Sequence, residues 1–489
     1  MNLKKLTIKE ASKLLHEKKI TVKQLVDDFL QNAKSKNQEY NIYLGFYDDI
    51  EKQIDRAQKI IDSGKATVLT GIPVAIKDNI LVEGKIASAG SKILENYHAT
   101  YTSTAVSKLI EQGAVIIGRT NMDEFAMGGS TENSAYGPTR NAYDTDRVAG
   151  GSSGGSATAV AVDTVLASLG SDTGGSIRLP ASFNGVVGLK PTYGAVSRYG
   201  LMAMGSSLDV IGPFAKNVED AQIIFDAIKG VDELDSTTVS ATNDKKNSPD
   251  NSPDNSLKSN NSPKSKNIKK IGVPFANLKE GMDDDVLKNF EKSLEKLKKI
   301  GYEIVDIDLP NLKYSLAVYY TLMPAEVSSN MARYDGVKFG SKIEGQKLID
   351  DYFKTRGQLL GKEVRRRIIL GTYVLSAGYA DQYYNQAWKV RDIITQEVLD
   401  VLKKVDVIAM PTSPTPAFKI GEKANDPLKM YLADIFTVFV NLVGAPAISI
   451  PDGFVKREEK DLPTGLQIIA PHLCEEYLFE IGKKFETIE

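Results

Sequence analysis

Between Val148 and Pro180 two glycine–serine clusters bracket a stretch of small residues. The first is Gly150-Gly151-Ser152-Ser153-Gly154-Gly155-Ser156; the second is Gly170-Ser171-Asp172-Thr173-Gly174-Gly175-Ser176. Ala157 to Leu169, between them, is nearly all Ala, Val, Thr and Leu, and predicts a buried helix. Glycine permits dihedrals that other residues avoid and lets backbone N–H groups crowd close to a ligand atom. Serines set among such glycines sit where a hydroxyl reaches a reacting atom. Few structural needs call for this density of glycine and serine against buried chain. A nucleophile beside an oxyanion hole is one of them.

The rest of the chain has the texture of an α/β protein. Gly71-Ile72-Pro73-Val74-Ala75-Ile76-Lys77-Asp78-Asn79 predicts a buried strand that ends at a lysine and an acid. Ala114–Gly118 predicts a second strand, preceded by a helix around Ala105–Gln112. Further strands are expected at 269–273, 303–307, 405–411 and 447–451, with a charged amphipathic helix over Asp284–Ile300. Strands alternating with helices argue for a sheet layered with helices. Residues 7–35 carry helical stripes with a cap at Thr21, so 1–60 is expected to be a helical N-terminal element. Residues 235–267 repeat Asn-Ser-Pro and have almost no large apolar side chains, which predicts a low-complexity flexible loop. The 489 residues allow one large domain or about three ordinary ones.

Bulk properties remove several function classes. The net charge of −2 lacks the basic footprint of a chain that binds nucleic acid through its own charge. No run of eighteen apolar residues occurs and the N-terminus has no apolar signal core, so no membrane span is expected and the cytoplasm is the simplest placement. One cysteine, Cys474, rules out an internal disulfide and a Cys-rich zinc site. It lies beside Glu475 and Glu476, whose charges oppose a thiolate. His16, His98 and His472 stand apart from the serine clusters. Gly150–Gly154 matches the G-x-S-x-G elbow of α/β-hydrolases, but Ala142–Arg147 before it reads as a loop where that motif needs a strand. The phosphate-binding G-x-x-x-x-G-K-[ST] pattern is absent.

A serine without histidine needs another base. A lysine serves when burial holds its amine neutral near working pH. Lys77, at the end of an apolar strand, is the candidate; the alternative is a surface lysine beside Asp78.

Lys77, Ser152 and Ser176, with the sequences around them, resemble the amidase signature family. The resemblance implies an amidase-signature α/β fold: a central mixed β-sheet flanked by α-helices on both faces, here one domain over 1–489 interrupted by the 235–267 loop. It implies a Ser–cis-Ser–Lys triad in which Lys77 is the base, Ser152 the bridging serine on a cis peptide, and Ser176 the nucleophile. Backbone N–H groups of Thr173, Gly174, Gly175 and Ser176 would form the oxyanion hole. No metal is implied.

Asn121–Ser134, Gly188–Gly194 and Ser197–Leu201 are similar, more narrowly, to the glutaminase subunits of tRNA-dependent amidotransferases. That resemblance implies glutamine as substrate and ammonia passed to a partner, the B subunit, which amidates Glu-tRNA(Gln) or Asp-tRNA(Asn). The B subunit would bind the tRNA and use ATP and magnesium; a small C subunit would clamp the pair. No cofactor is implied for this chain. Free glutamine carries a carboxylate and an ammonium. By motif, Arg367 matches the carboxylate-binding arginine, Asp434 the ammonium-binding acid and Tyr319 a pocket tyrosine, with Arg366 and Tyr320 as one-residue alternatives. Four positions depart from the family pattern: Ala149, Leu179, Asn184 and Phe439. The rival readings are a stand-alone amidase acting on another small amide and a catalytically silent scaffold protein.

Overall fold

The computed structural model describes residues 3–239, 268–278, 281–424 and 426–488. Most of the predicted loop, 240–267, lies outside the described residues.

Eleven strands form one mixed sheet among the described residues. In the first half these are β1 (Tyr43–Phe46), β2 (Pro73–Lys77), β3 (Val115–Thr120), β4 (Ala167–Asp172), β5 (Val187–Lys190) and β6 (Val210–Ala215). In the second half they are β7 (Lys270–Val273), β8 (Glu303–Asp306), β9 (Val407–Pro411), β10 (Ala447–Arg457) and β11 (Lys460–Ile469). Their spatial order is β1-β3-β2-β4-β6-β5-β10-β11-β9-β7-β8. β2 runs parallel to both β3 and β4, and β7 parallel to both β8 and β9. The antiparallel strands β5, β6, β10 and β11 join these two parallel groups. Strands from both sides of 240–267 therefore share one sheet.

Successive residues of a strand face opposite sides of a sheet. Every residue of β2, β4, β6 and β9 is buried, so both faces of the sheet are covered. This agrees with the expected α/β architecture.

The N-terminal element is not wholly helical. Helices Ile8–His16, Val22–Tyr40 and Ile50–Asp62 are interrupted by β1, which pairs antiparallel with β3. Thr21 caps the second helix as expected: its hydroxyl accepts the Gln24 N–H, and Gln24 returns a bond to the Thr21 N–H.

The small-residue stretch 157–169 also departs from its prediction. A short helix, Gly154–Ala161, gives way near Asp163, whose φ is +60°, and the chain re-emerges as β4. A fully buried run of Ala, Val and Leu has no polar face, so it carries no period that separates helix from strand. β4 lies beside β2, in register from Val74–Ala167 to Ile76–Leu169. That pairing sets the end of the Lys77 strand next to the start of the second glycine–serine cluster.

Candidate active site

Lys77 closes β2 with its side chain fully buried. Its Nζ lies 2.8 Å from Ser152 Oγ, 2.9 Å from Ser171 Oγ and 3.3 Å from the Ser171 carbonyl. That burial removes the alternative of a surface lysine beside Asp78, whose carboxylate pairs with Arg119 at 2.7 Å. Burial pushes the Lys77 amine down to about 7, against the opposing pull of Asp123, Asp172 and Asp209. A neutral amine, a proton acceptor, is thus available near neutral pH.

Ser152 is held by the first cluster. The Gly151–Ser152 peptide is cis. Gly151 has no room for a side chain: a Cβ there would sit 2.1 Å from Asp123 Oδ2 and 2.7 Å from the Ser130 nitrogen. Asp123 accepts the N–H groups of Thr131 (2.9 Å) and Asn133 (3.0 Å), while burial raises its carboxyl to about 6. The two clusters are stitched together. Ser153 donates its N–H to the Ser176 carbonyl at 3.3 Å and its hydroxyl to the Ser171 carbonyl at 3.0 Å.

Ser176 lies on the turn from β4 into the helix Arg178–Asn184 and is 7% exposed. The turn is built around Asp172. Its carboxylate accepts the N–H groups of Gly175 (2.8 Å) and Ile177 (3.0 Å), two donors of Arg178, and Asn441 Nδ2 at 3.0 Å. Burial alone would raise Asp172, but the Arg178 charge and hydrogen bonds, with Lys190 and the Ile177 N–H, hold it at about 2. Arg178 is itself fully buried and donates to Gln467 Oε1, the Thr437 carbonyl and Asn441 Oδ1. One expected oxyanion donor is thereby reassigned. The Gly175 N–H points at Asp172, because the carboxylate closes the turn over it. Gly175 has φ +139°, outside the range that residues with a Cβ readily adopt. The N–H groups of Thr173, Gly174 and Ser176 make no such bond among the described residues.

Two of the three residues expected to bind substrate, Tyr319 and Asp434, lie against this turn. The Tyr319 ring packs on Gly174, where a Cβ would lie 2.7 Å from Tyr319 Cζ. Asp434 Oδ1 lies 3.2 Å from the position a Gly175 Cβ would take. Arg367 is buried on the helix Lys362–Val374. Its Nε donates to Glu363 Oε1 at 2.8 Å, and its guanidinium lies 5.5 Å from the Tyr320 ring and 5.8 Å from the Tyr431 ring. Arg366, by contrast, has a half-exposed side chain. Burial raises the Asp434 carboxyl to about 8; Arg367 opposes this, and the like charges of Asp172 and Asp123 add to it. A ligand ammonium beside Asp434 would relieve that cost.

The residues excluded from sequence lie elsewhere. His472 bonds the Val443 carbonyl, His16 the Ser12 carbonyl and His98 the Asn96 carbonyl. Burial, then Glu476 and Glu475, push the Cys474 thiol up to about 12. Among the described residues no group of three or more His, Cys, Asp or Glu is placed to hold a metal ion. No described helix is long and apolar enough to cross a membrane.

Sequence reasoning assigned no role to Asp172, Arg178 or Asn441, nor to Ser171, Glu363 or Tyr431. Asp172, Ser171 and Arg178 stand inside or next to the second cluster, so proximity was the available signal. Asn441 and Tyr431 reach the site only through the fold.

A buried lysine, a serine that follows a cis peptide and a glycine-rich serine turn thus meet on one mixed sheet layered with helices. The family model described as Amidase matches residues 24–479, and the chain belongs to that family. Among curated relatives, the A subunit of glutamyl-tRNA(Gln) amidotransferase from Ruminiclostridium cellulolyticum is 47% identical, over 100% of this chain and 98% of the relative. That of Thermodesulfovibrio yellowstonii is 47% identical over 99% and 98%. The crystal structure of the glutamyl-tRNA(Gln) amidotransferase A subunit from Thermotoga maritima is similar with a TM-score of 0.75 and 41% identity, covering 99% of this chain and 94% of that one.

Proposed function

We propose that this chain is the glutaminase component of a tRNA-dependent amidotransferase, with Lys77, Ser152 and Ser176 as its catalytic triad. The observation that carries the reading is Lys77: a fully buried amine held by serine oxygens, 2.8 Å from the Ser152 hydroxyl. The full-length similarity to amidotransferase A subunits supports the substrate.

Neutral Lys77 accepts the Ser152 proton as Ser152 takes the proton of Ser176. Ser176 Oγ bonds to the side-chain carbonyl carbon of glutamine. The oxyanion is held by the N–H groups of Thr173, Gly174 and Ser176, a contact worth about 3–4 kcal/mol per donor removed. The C–N bond breaks, the leaving nitrogen takes the proton back through Ser152 and departs as ammonia, and water hydrolyses the glutamyl ester to glutamate. Arg367 pairs with the α-carboxylate of glutamine and Asp434 with its ammonium, while the Tyr319 ring lines the pocket against Gly174.

Ammonia then passes to a partner, the B subunit, which amidates Glu-tRNA(Gln) or Asp-tRNA(Asn) with ATP and magnesium; a small C subunit completes the assembly. Contact with tRNA is left mainly to the B subunit, in keeping with the net charge of −2. The shared sheet supports reading 1–489 as one domain. A cytoplasmic location fits a role in supplying charged tRNA.

The test is Ser176→Ala in the assembled enzyme. It should abolish glutamine hydrolysis and labelling by a serine-directed fluorophosphonate, yet leave amidation with added ammonium chloride intact. Labelling that persists in Ser176→Ala and vanishes in Ser152→Ala would reverse the two serine roles. Turnover of small neutral amides with none of glutamine would point to a stand-alone amidase.

A further inference from the structure

A neutral amine has one lone pair and two N–H bonds, and a base works only when the lone pair faces the proton it takes. Lys77 Nζ has three oxygen neighbours: Ser152 Oγ at 2.8 Å, Ser171 Oγ at 2.9 Å and the Ser171 carbonyl at 3.3 Å. A carbonyl oxygen only accepts, so it claims one N–H. The Ser171 hydroxyl decides the rest. If it accepts the second N–H, the lone pair is left for Ser152. If it donates into the lone pair, Ser152 meets an N–H and the relay is blocked. Ser171 is buried, and Asn79 Nδ2 reaches the same hydroxyl oxygen at 3.1 Å.

We infer that Ser171 is the positioning residue of the proton relay: its carbonyl and its hydroxyl take the two Lys77 N–H groups and so aim the lone pair at Ser152. The inference rests on the reading of Lys77 as the base. Ser171 acts through Lys77. The step it serves is the transfer of the Ser152 proton to the Nζ lone pair while Ser152 Oγ receives the proton of Ser176. Asn79 Nδ2 donates to the same hydroxyl oxygen, which makes that oxygen an acceptor on a second side. Once protonated, Lys77 has three N–H donors, and the same three oxygens match them.

This arrangement has a consequence that a packing role lacks. Ser171 Oγ as an acceptor favours the protonated lysine more than the neutral one, so its removal makes Lys77 a weaker base that is neutral over a wider range. The charged groups that face Lys77 are Asp123 after β3, Asp172 at the end of β4 and Asp209 ahead of β6, and all three stay in place in the variant. Ser171→Ala should lower the plateau kcat for glutamine by about ten- to a hundredfold, at or below the lower end of what loss of a whole general base costs. KM should stay within about twofold, and the acidic limb of the pH profile should move to lower pH. Ser171→Thr, which keeps the hydroxyl, should restore most of kcat and the position of the limb. Asn79→Ala should shift both in the same direction by less.

The measurement is the pH dependence of kcat and KM for glutamine in the full assembly, with the pH dependence of fluorophosphonate labelling as a readout that needs no substrate pocket. An acidic limb that stays put or moves to higher pH in Ser171→Ala, or a kcat unchanged or raised, would overturn the inference. If Ser171→Ala does not fold, the Asn79→Ala profile decides by the same criterion. Lys77→Ala and Ser152→Ala in the same labelling assay separate the two readings. If they label as fast as the wild type, the triad itself is wrong; if they lose labelling while Ser171→Ala is normal, only the positioning role fails.

Discussion

Glu363 Oε1 accepts the Arg367 Nε–H at 2.8 Å, one helical turn along the same helix. The same oxygen accepts the Tyr431 hydroxyl at 3.1 Å. Tyr431 leads into the segment that carries Asp434. Glu363 therefore ties the cation of the proposed glutamine pocket to the stretch of chain bearing its anion, and it fixes the guanidinium by one edge. Glu363→Gln should free Arg367 and raise KM for glutamine about tenfold or more, since a charged hydrogen bond contributes about 1.5–3 kcal/mol. kcat should change much less. An unchanged KM would show that Arg367 is oriented by its aromatic neighbours alone.

The proposed zwitterion pocket makes a sharper prediction. Arg367→Ala and Asp434→Ala should each lower kcat/KM for glutamine by an amount equivalent to about 2–5 kcal/mol, part of it from leaving the other charge unpaired. Hydrolysis of a small neutral amide should be spared wherever the wild type accepts one. Equal losses on both substrates would mean that the two residues are structural.

As the proposed base, Lys77 should couple activity to pH, and its burial opposes stability. Its folded value of about 7 lies below its ordinary 10.5. Between these values the unfolded chain holds the proton and the folded chain does not, so stability rises with pH across that window. The penalty is full below about pH 7 and vanishes above 10.5. Lys77→Met should be inactive and more stable than wild type at pH 7, with the difference closing by about 1.4 kcal/mol per pH unit on the way up. Denaturant unfolding at several pH values measures this. A gap that does not change with pH would mean that Lys77 is charged in the folded protein. Glutamine hydrolysis should fall as pH drops through about 7, and Lys77→Arg, which keeps its charge at any working pH, should be inactive throughout.

Asp172 behaves in the opposite sense. Its folded value of about 2 lies below its ordinary 3.8, so its contribution is present above about pH 4 and is lost as pH falls through 2. Asp172→Asn leaves buried Arg178 without its counter-charge and should destabilise the fold by about 3–5 kcal/mol. It should also loosen the turn that presents Ser176. A variant as stable as wild type would show that Asn441 and Gln467 suffice to hold Arg178.

Much of the candidate site was legible in the residues themselves. Gly150–Ser156 and Gly170–Ser176 name a chemistry that needs close backbone approach, and an apolar strand ending in Lys77 names a base that histidine does not supply. Composition and spacing also announced an α/β sheet and the Thr21 cap, because capping and amphipathic periods are local. Other features had no local signal. The switch from helix to strand within 157–172 was invisible, since a stretch buried on every side shows no period. The long β10–β11 hairpin was missed beyond 451, where polar and apolar residues mix as the strand leaves the core.

What the sequence by itself determined is the set of chemical groups and the local backbone freedom that brings them close: lysine, two serines and the glycines around them. Only the tertiary structure decided which groups meet. The parallel pairing of β2 with β4 places Lys77 against Ser171, 94 positions away, and the bond from the Ser153 hydroxyl to the Ser171 carbonyl brings Ser152, 75 positions away, to the same amine. The burial of that junction under both layers of helices lowers the lysine. Packing of the second half of the chain puts Thr437 and Asn441 on the turn from some 260 residues downstream. The same packing, not spacing along the chain, turns Arg367 inward and leaves Arg366 half-exposed. Desolvation and charge pairing are properties of a position in space, and neighbours along the chain do not specify them.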